Sequence, residues 1–217
     1  MISAYDKTYL EKARAALGRM LDFAVYELRY SLIEFWNLFL ASDISGRFAH
    51  GDFTVLVGKS GVELAYEVLE QAGIAAERIS PRYAADRSDA YWTGWALAYF
   101  QWECALSFAI ITRYVPIEQV CALYHPYHEM DIRQFCDEMH RLFRAAKPET
   151  NLKIIRKAAG LSQSALAERC GISVRTIQQY EQRQKNINKA GAEHLLLLSR
   201  ALHCDMSALL EPDFSED

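Results

Sequence analysis

Apolar side chains recur every three to four positions along most of the chain. Two such stripes open it, over residues 5–18 and 20–41, the second carrying Leu21, Val25, Leu28, Leu32, Phe35, Trp36 and Phe39. Both predict helices packed by one face. The cluster Ser42-Asp43-Ile44-Ser45-Gly46 ends the second stripe. Phe53-Thr54-Val55-Leu56-Val57 is the one stretch that reads as a strand, and it has no partner to pair with. Ser60 is placed to cap a helix from Gly61 to Gln71, which Gly73 stops. After a loop holding Pro81, Ser88 caps a long aromatic helix, YWTGWALAYFQW and its continuation. Pro116 starts a short helix that ends before His125-Pro126, and Asp131 caps another from Ile132 to Ala146. The pattern predicts an N-terminal α-bundle of five or six helices.

The longest apolar stretch, Ala90 to Ile111, has the length of a membrane span. Gln101 and Glu103 near its middle argue against that, since a charge at the bilayer centre costs about 2.5–3.5 kcal/mol. A buried helix with its charge paired to one of the many arginines is the expectation, and no membrane association is expected. The N-terminus has charges scattered through it and no apolar signal-peptide core, and five scattered cysteines without a CxxC pair suit reduced thiols. A cytoplasmic protein is expected.

Charge divides the chain. Residues 1–151 hold 15 basic and 20 acidic side chains, residues 152–203 hold 9 and 3, and the tail from Cys204 to Asp217 holds five acids and no base. A basic block inside an acidic chain points to local phosphate binding. Aromatics divide it at the same place: of 26 Phe, Trp and Tyr residues, only Tyr180 and Phe214 lie beyond residue 151. Two domains are expected, residues 1–148 and 149–217, joined near Ala145–Asn151.

The segment LKIIRKAAGLSQSALAERCGISVRTIQQYEQ has a sharp local logic. Ser162 opens one helix, Ala167 is small where two helices cross, and Gly171 stands where the turn needs a left-handed residue. Ile172 plugs the corner, Ser173 caps the next helix, and Ile177 and Tyr180 form its inward stripe. This segment resembles the lambda-repressor-like (XRE) helix-turn-helix family, and the resemblance runs to about Leu210. It implies a five-helix module binding double-stranded DNA, closed by helices containing Leu195 to Leu198, Leu202 and Leu209.

By that resemblance the base-facing positions are Val174, Arg175, Thr176 and Gln179, with Gln178 beside them. Arg175 suits guanine O6 and N7, Gln179 suits adenine N6 and N7, and Val174 or the Thr176 methyl suits a thymine methyl. Gln163 matches a phosphate-binding position, and Ser162, Ser173, Arg183, Lys185 and Lys189 flank the groove as further phosphate contacts. For Gln178, Arg183 and Lys189 a solvated surface is the competing reading. Glu181 is expected to pair internally with Arg156 or Arg169. One module reads about half a site, so a homodimer on a palindromic operator is expected.

Other chemistry fits poorly. Val57-Gly58-Lys59-Ser60-Gly61 lacks the leading glycine of a phosphate-binding loop, which leaves a helix start. Cys121, His125, His128, Cys136 and His140 match no common zinc spacing, so no metal or other cofactor is expected. No nucleophile or carboxylate pair marks an enzyme. Trp36-Asn37-Leu38-Phe39, GKSGVELAYEVL, YWTGWALAYFQW and YHPYHEMDI together are similar to an aromatic α-helical domain that precedes XRE modules in bacterial proteins, some encoded beside toxin-like genes. That resemblance implies an antitoxin whose N-terminal domain silences a protein toxin while the C-terminal module represses the operon. A stand-alone repressor, whose N-terminal domain senses a small molecule or only dimerises, is the alternative.

Overall fold

The computed structural model describes residues 3–82, 87–146 and 149–211 of the 217. Their regular elements are all helices and helical turns, with no strand among the described residues. The chain divides into two compact units, Met1–Ala146 and Lys147–Asp217. Parts of the joining segment (Lys147, Pro148) and of the acidic tail beyond Glu211 lie outside the described residues.

In unit 1, helices follow in the order α1 (Leu10–Asp22), α2 (Leu32–Ala41), α3 (Asp43–Ala49), α4 (Phe53–Leu56), α5 (Gly61–Gln71), α6 (Asp89–Cys104), α7 (Phe108–Tyr114), α8 (Ile117–Ala122), α9 (Tyr124–Tyr127) and α10 (Ile132–Ala146). The bundle is thus cut into more and shorter pieces than the five or six helices expected. Its centre is α1, which runs straight through Gly18, where a helix end was expected. Gly18 and Gly94 let α1 and α6 touch: a Cβ on Gly94 would lie 2.6 Å from the Leu17 carbonyl oxygen, and one on Gly18 2.8 Å from that of Tyr91. No side chain fits at that crossing.

Four further sequence expectations fail, each for a local reason. The second stripe does not run unbroken from Met20 to Ala41. A π-helical turn, Phe23–Glu27, extends α1, the chain reverses at Arg29 with φ 66°, and α2 starts afresh from a capping box. In that box the Ser31 backbone N–H donates to the Glu34 carboxylate at 3.1 Å, and the Glu34 N–H to Ser31 Oγ at 3.3 Å. The expected strand at Phe53–Val57 is instead the single helical turn α4. Asp52 caps it, accepting from the Thr54 N–H at 2.9 Å, and nothing offers the segment a β partner. The aromatic helix stops at Ala105, left-handed at φ 52°, and Ser107 caps α7 as a new helix.

Glu103 is the fourth. It faces no arginine: its Oε2 lies 3.6 Å from His140 Nε2, and the Cys136 thiol donates to it. Burial pushes the Glu103 carboxyl above its usual range and pulls the His140 imidazole down to about 4.

The caps at Ser60 and Ser88 are as expected, accepting from the Glu63 and Tyr91 N–H groups. Among the described residues, eight of the nine phenylalanines are core. Trp36, Phe39, Phe48 and Phe108 pack ring against ring at 5.0–5.7 Å, with Trp36 Nε1 donating to Thr112 Oγ1 at 3.1 Å. Among the described residues no helix is long and apolar enough to cross a membrane, and no three metal-ligating side chains gather.

Unit 2 follows with α11 (Asn151–Ala158), α12 (Gln163–Cys170), α13 (Val174–Glu181), a short 3-10 turn Ile187–Lys189, α14 (Ala192–Leu202) and α15 (Met206–Leu209). One apolar core joins all five helices through Leu152, Leu166, Cys170, Ile172, Ile177, Tyr180, Leu198, Leu202 and Leu209.

Candidate nucleic-acid interface

The corner between α12 and α13 forms for the reasons its residues suggest. Ser162 Oγ accepts from the Ala165 N–H at 3.0 Å and starts α12. Gly171 ends it at φ 70°, a left-handed conformation that costs a residue with a Cβ about 1 kcal/mol or more. No atom lies within 4 Å of where that Cβ would be, so the need for glycine is conformational. Ile172 is buried in the corner and Ser173 Oγ accepts from the Thr176 N–H at 3.1 Å, starting α13. Ile177 and Tyr180 anchor α13 to the core, and the Tyr180 hydroxyl meets His194 Nδ1 at 3.2 Å.

Beneath α13 lies a buried ionic network. Arg156 grips Glu181 with two nearly parallel bonds, Nε–Oε1 at 2.6 Å and Nη2–Oε2 at 2.8 Å. Its remaining Nη1 donates to the Leu161 carbonyl at 2.6 Å. Of the two partners expected for Glu181, Arg156 is the one used. Gln163 Nε2 adds a third bond to Glu181 at 2.8 Å, and Gln178 Nε2 reaches Gln163 Oε1 at 3.5 Å. Burial raises the Glu181 carboxyl, but the bonds from Arg156 and Gln163 and the charge of Arg156 outweigh it, leaving Glu181 below its ordinary value. Three of the five helices are thereby locked to one another by α11, α12 and α13 side chains.

The expected DNA-contacting residues sit around this corner in distinct settings. Arg175 is fully at the surface, with Gln179 one helical turn further along the same face. Thr176 is half-buried, its hydroxyl 2.9 Å from that of Ser173, which leaves its methyl as the free part. Val174 leans on the core and offers only part of its surface. Gln178 bends toward Gln163, so both amides serve the network; the Gln163 amide keeps one further N–H. Ser162 and Ser173 are exposed but spend their oxygens on capping.

Lys185 and Lys189 are exposed. Arg183 follows α13 in a left-handed conformation, φ 56°, with Nη2 3.6 Å from the Glu211 carboxylate. Glu211 is itself held in place, accepting from the Asn151 backbone N–H, while Asn188 exchanges two bonds with its main chain at 2.6 and 2.9 Å. Sequence reasoning passed over Asn188 and Glu211. The only signal for them was an asparagine in a loop and one acid among five in the tail. Part of the basic block is also spoken for, because Glu149 pairs with both Lys153 and Lys157, at 3.0 and 2.5 Å.

Residues 152–209 match a helix-turn-helix family model. Those residues are a helix-turn-helix domain. The match covers α11 to α15 and the whole corner just described. Comparison of the chain with curated proteins and with solved structures finds no match. A helix-turn-helix domain of this kind supports a DNA-binding transcription regulator, and α12 and α13 are the two helices of its corner.

Proposed function

We propose that the protein is a transcriptional repressor that binds a palindromic operator as a homodimer. Val174, Arg175, Thr176 and Gln179 meet base edges, with Gln178 at the margin. Gln163, Ser162, Ser173, Arg183, Lys185 and Lys189 hold phosphates. What supports this is one observation: the outward edge of α13, led by exposed Arg175, stands on a corner made rigid by the buried Arg156–Glu181–Gln163 network. A rigid edge reads bases with little ordering cost on binding. Two such edges about one helical turn of DNA apart, roughly 34–36 Å, read a two-fold site. The protein works where the DNA is, in the cytoplasm. The test is selection of duplexes from a random pool by the full chain, followed by the stoichiometry of the complex. An enriched inverted repeat bound by two copies supports the proposal; no enriched sequence, or one copy per site, overturns it.

A second reading concerns unit 1. Ile33, Phe53, Ile110 and Met130 are large apolar side chains exposed by 43–63%, surface that a protein partner would cover. On this reading unit 1 silences a protein toxin and the protein is an antitoxin that represses its own operon. Co-purification of the full chain with the product of the neighbouring reading frame, and rescue of growth by the full chain, test it. Failure of both leaves a repressor without a toxin partner.

A further inference from the structure

We propose that unit 1 contains a binding site for an organic cation, an ammonium or guanidinium group on a short apolar stem. The site is an open-mouthed pocket of about 550 Å³ where the π-helical turn, the start of α2, the first turn of α6 and the length of α8 meet α9. That volume lies within the range of small-molecule sites.

Its chemistry is one-sided. Asp89 and Glu118 bring carboxylates from two different helices, and among the described residues no lysine or arginine lines it. Asp89 Oδ1 accepts from the Tyr26 hydroxyl at 2.5 Å and from the Ala90 N–H at 2.7 Å. Its Oδ2 takes no hydrogen bond among the described residues and remains open to a donor. Glu118 is exposed and equally open. Tyr26, Tyr124 and His125 add three rings to the lining, beside Leu32, Cys121 and Ala122.

The rings are held from behind. Tyr124 stacks on His128 at 4.1 Å and meets the edge of Trp92 at 5.7 Å, so this wall is preformed. Tyr26 keeps 44% of its surface exposed while its hydroxyl is fixed to Asp89. Ring faces attract cations through their quadrupole, and carboxylates beside them add charge and hydrogen-bond acceptors. An anion is repelled here, and a neutral apolar ligand strands two carboxylates without donors. A cation with N–H groups satisfies both, while Leu32 provides apolar surface for its stem.

The site lies within unit 1 and stands whether or not unit 2 binds DNA. The test is an NMR titration of the full chain with n-butylguanidinium and n-butylammonium, with butyrate as the anionic control. Both cations are expected to saturate in the micromolar-to-millimolar range and to shift the Trp92 indole signal; butyrate is not. The paired substitution Asp89→Asn with Glu118→Gln keeps the shape and is expected to weaken binding by about tenfold or more. Should that pair fail to fold, Glu118→Lys alone, at an exposed position, is expected to abolish binding. A blocked Ala-Arg-Ala peptide separates the two sources of the cation. Tighter binding of the peptide assigns the site to a basic side chain of a protein; tighter binding of the free cations assigns it to a small molecule. The proposal is overturned if neither cation nor peptide saturates, if butyrate binds as well, or if the carboxylate variants bind like the wild type.

Discussion

Unit 2 marks its α12–α13 corner with the residue types the geometry demands, whereas unit 1 hides two of its reversals on residues with side chains. Between α12 and α13 the left-handed residue is Gly171, at φ 70°, flanked by two capping serines. In unit 1 the reversals after the π-helical turn and after α6 fall on Arg29 and Ala105, at φ 66° and 52°. Unit 1 also has left-handed glycines, Gly51 and Gly73 at φ 81° and 71°, but its tightest helix crossing rests on Gly18 and Gly94, which bring no side chain. The difference teaches that glycine has two physical meanings. It supplies a backbone conformation at Gly171 and absence of volume at Gly18 and Gly94, and sequence spacing alone does not separate them.

The comparison breaks most visibly at its buried charges. Glu181→Ala leaves the Arg156 guanidinium buried without its partner and is expected to cost about 3–5 kcal/mol. Hydrogen exchange should locate that loss in residues 152–209, with unit 1 little changed, because each unit has its own core. Replacing the pair together, Arg156→Met with Glu181→Leu, should recover most of it. Uniform loss of protection across both units contradicts the division.

Gly94→Ala comes next, at about 1–3 kcal/mol or more, because the added methyl meets the α1 backbone rather than a movable side chain. Gly171→Ala should cost only about 1 kcal/mol, since its Cβ enters open space. If thermal unfolding ranks the two the other way, the two meanings of glycine have been assigned wrongly. Ala105→Gly should stabilise unit 1 by about 1 kcal/mol, visible as a rise in Tm of a few degrees.

The last test is the acid response of unit 1. The His140 imidazole, held near 4 in the fold against an ordinary 6.5, lets the unfolded chain take a proton that the folded chain refuses. Stability therefore falls as pH drops from 6.5 toward 4. Glu103, raised above its ordinary 4.5, works in the opposite sense, binding its proton more readily in the fold. Asp137, Arg144 and Cys136 surround the pair and set its field. His140→Gln should flatten the acid loss and Glu103→Gln should steepen it, measured as denaturation midpoints across that range.

How much was legible follows the same division. The two serine caps, the glycine turn and the buried stripe of Ile177 and Tyr180 were readable because each is a local demand met by a distinctive residue, while the inward role of Glu181 came from the family resemblance. The turn after α13 was not, because Arg183 stands where glycine is usual, and neither was the hold of Asn188 on Glu211, which spans 23 residues. In unit 1 the capping box Ser31-x-x-Glu34 was present in the sequence, but the apolar stripe running across it masked the break. The strand pattern of Phe53–Val57 yielded to Asp52, whose cap is stronger than a β propensity with no ladder to join. The setting of Glu103 depends on α10 packing onto α6, a contact no spacing rule reveals.

The central claim is that the exposed edge of α13 reads bases, and one measurement tests it most directly. Duplexes are selected from a random pool by the wild-type chain and by Arg175→Ala and Gln179→Ala at fixed salt. Each variant should lose preference at one base pair per half-site, by about 1–3 kcal/mol, with the rest of the motif intact. Identical motifs for all three proteins, or a uniform loss of affinity without any change in base preference, would contradict it.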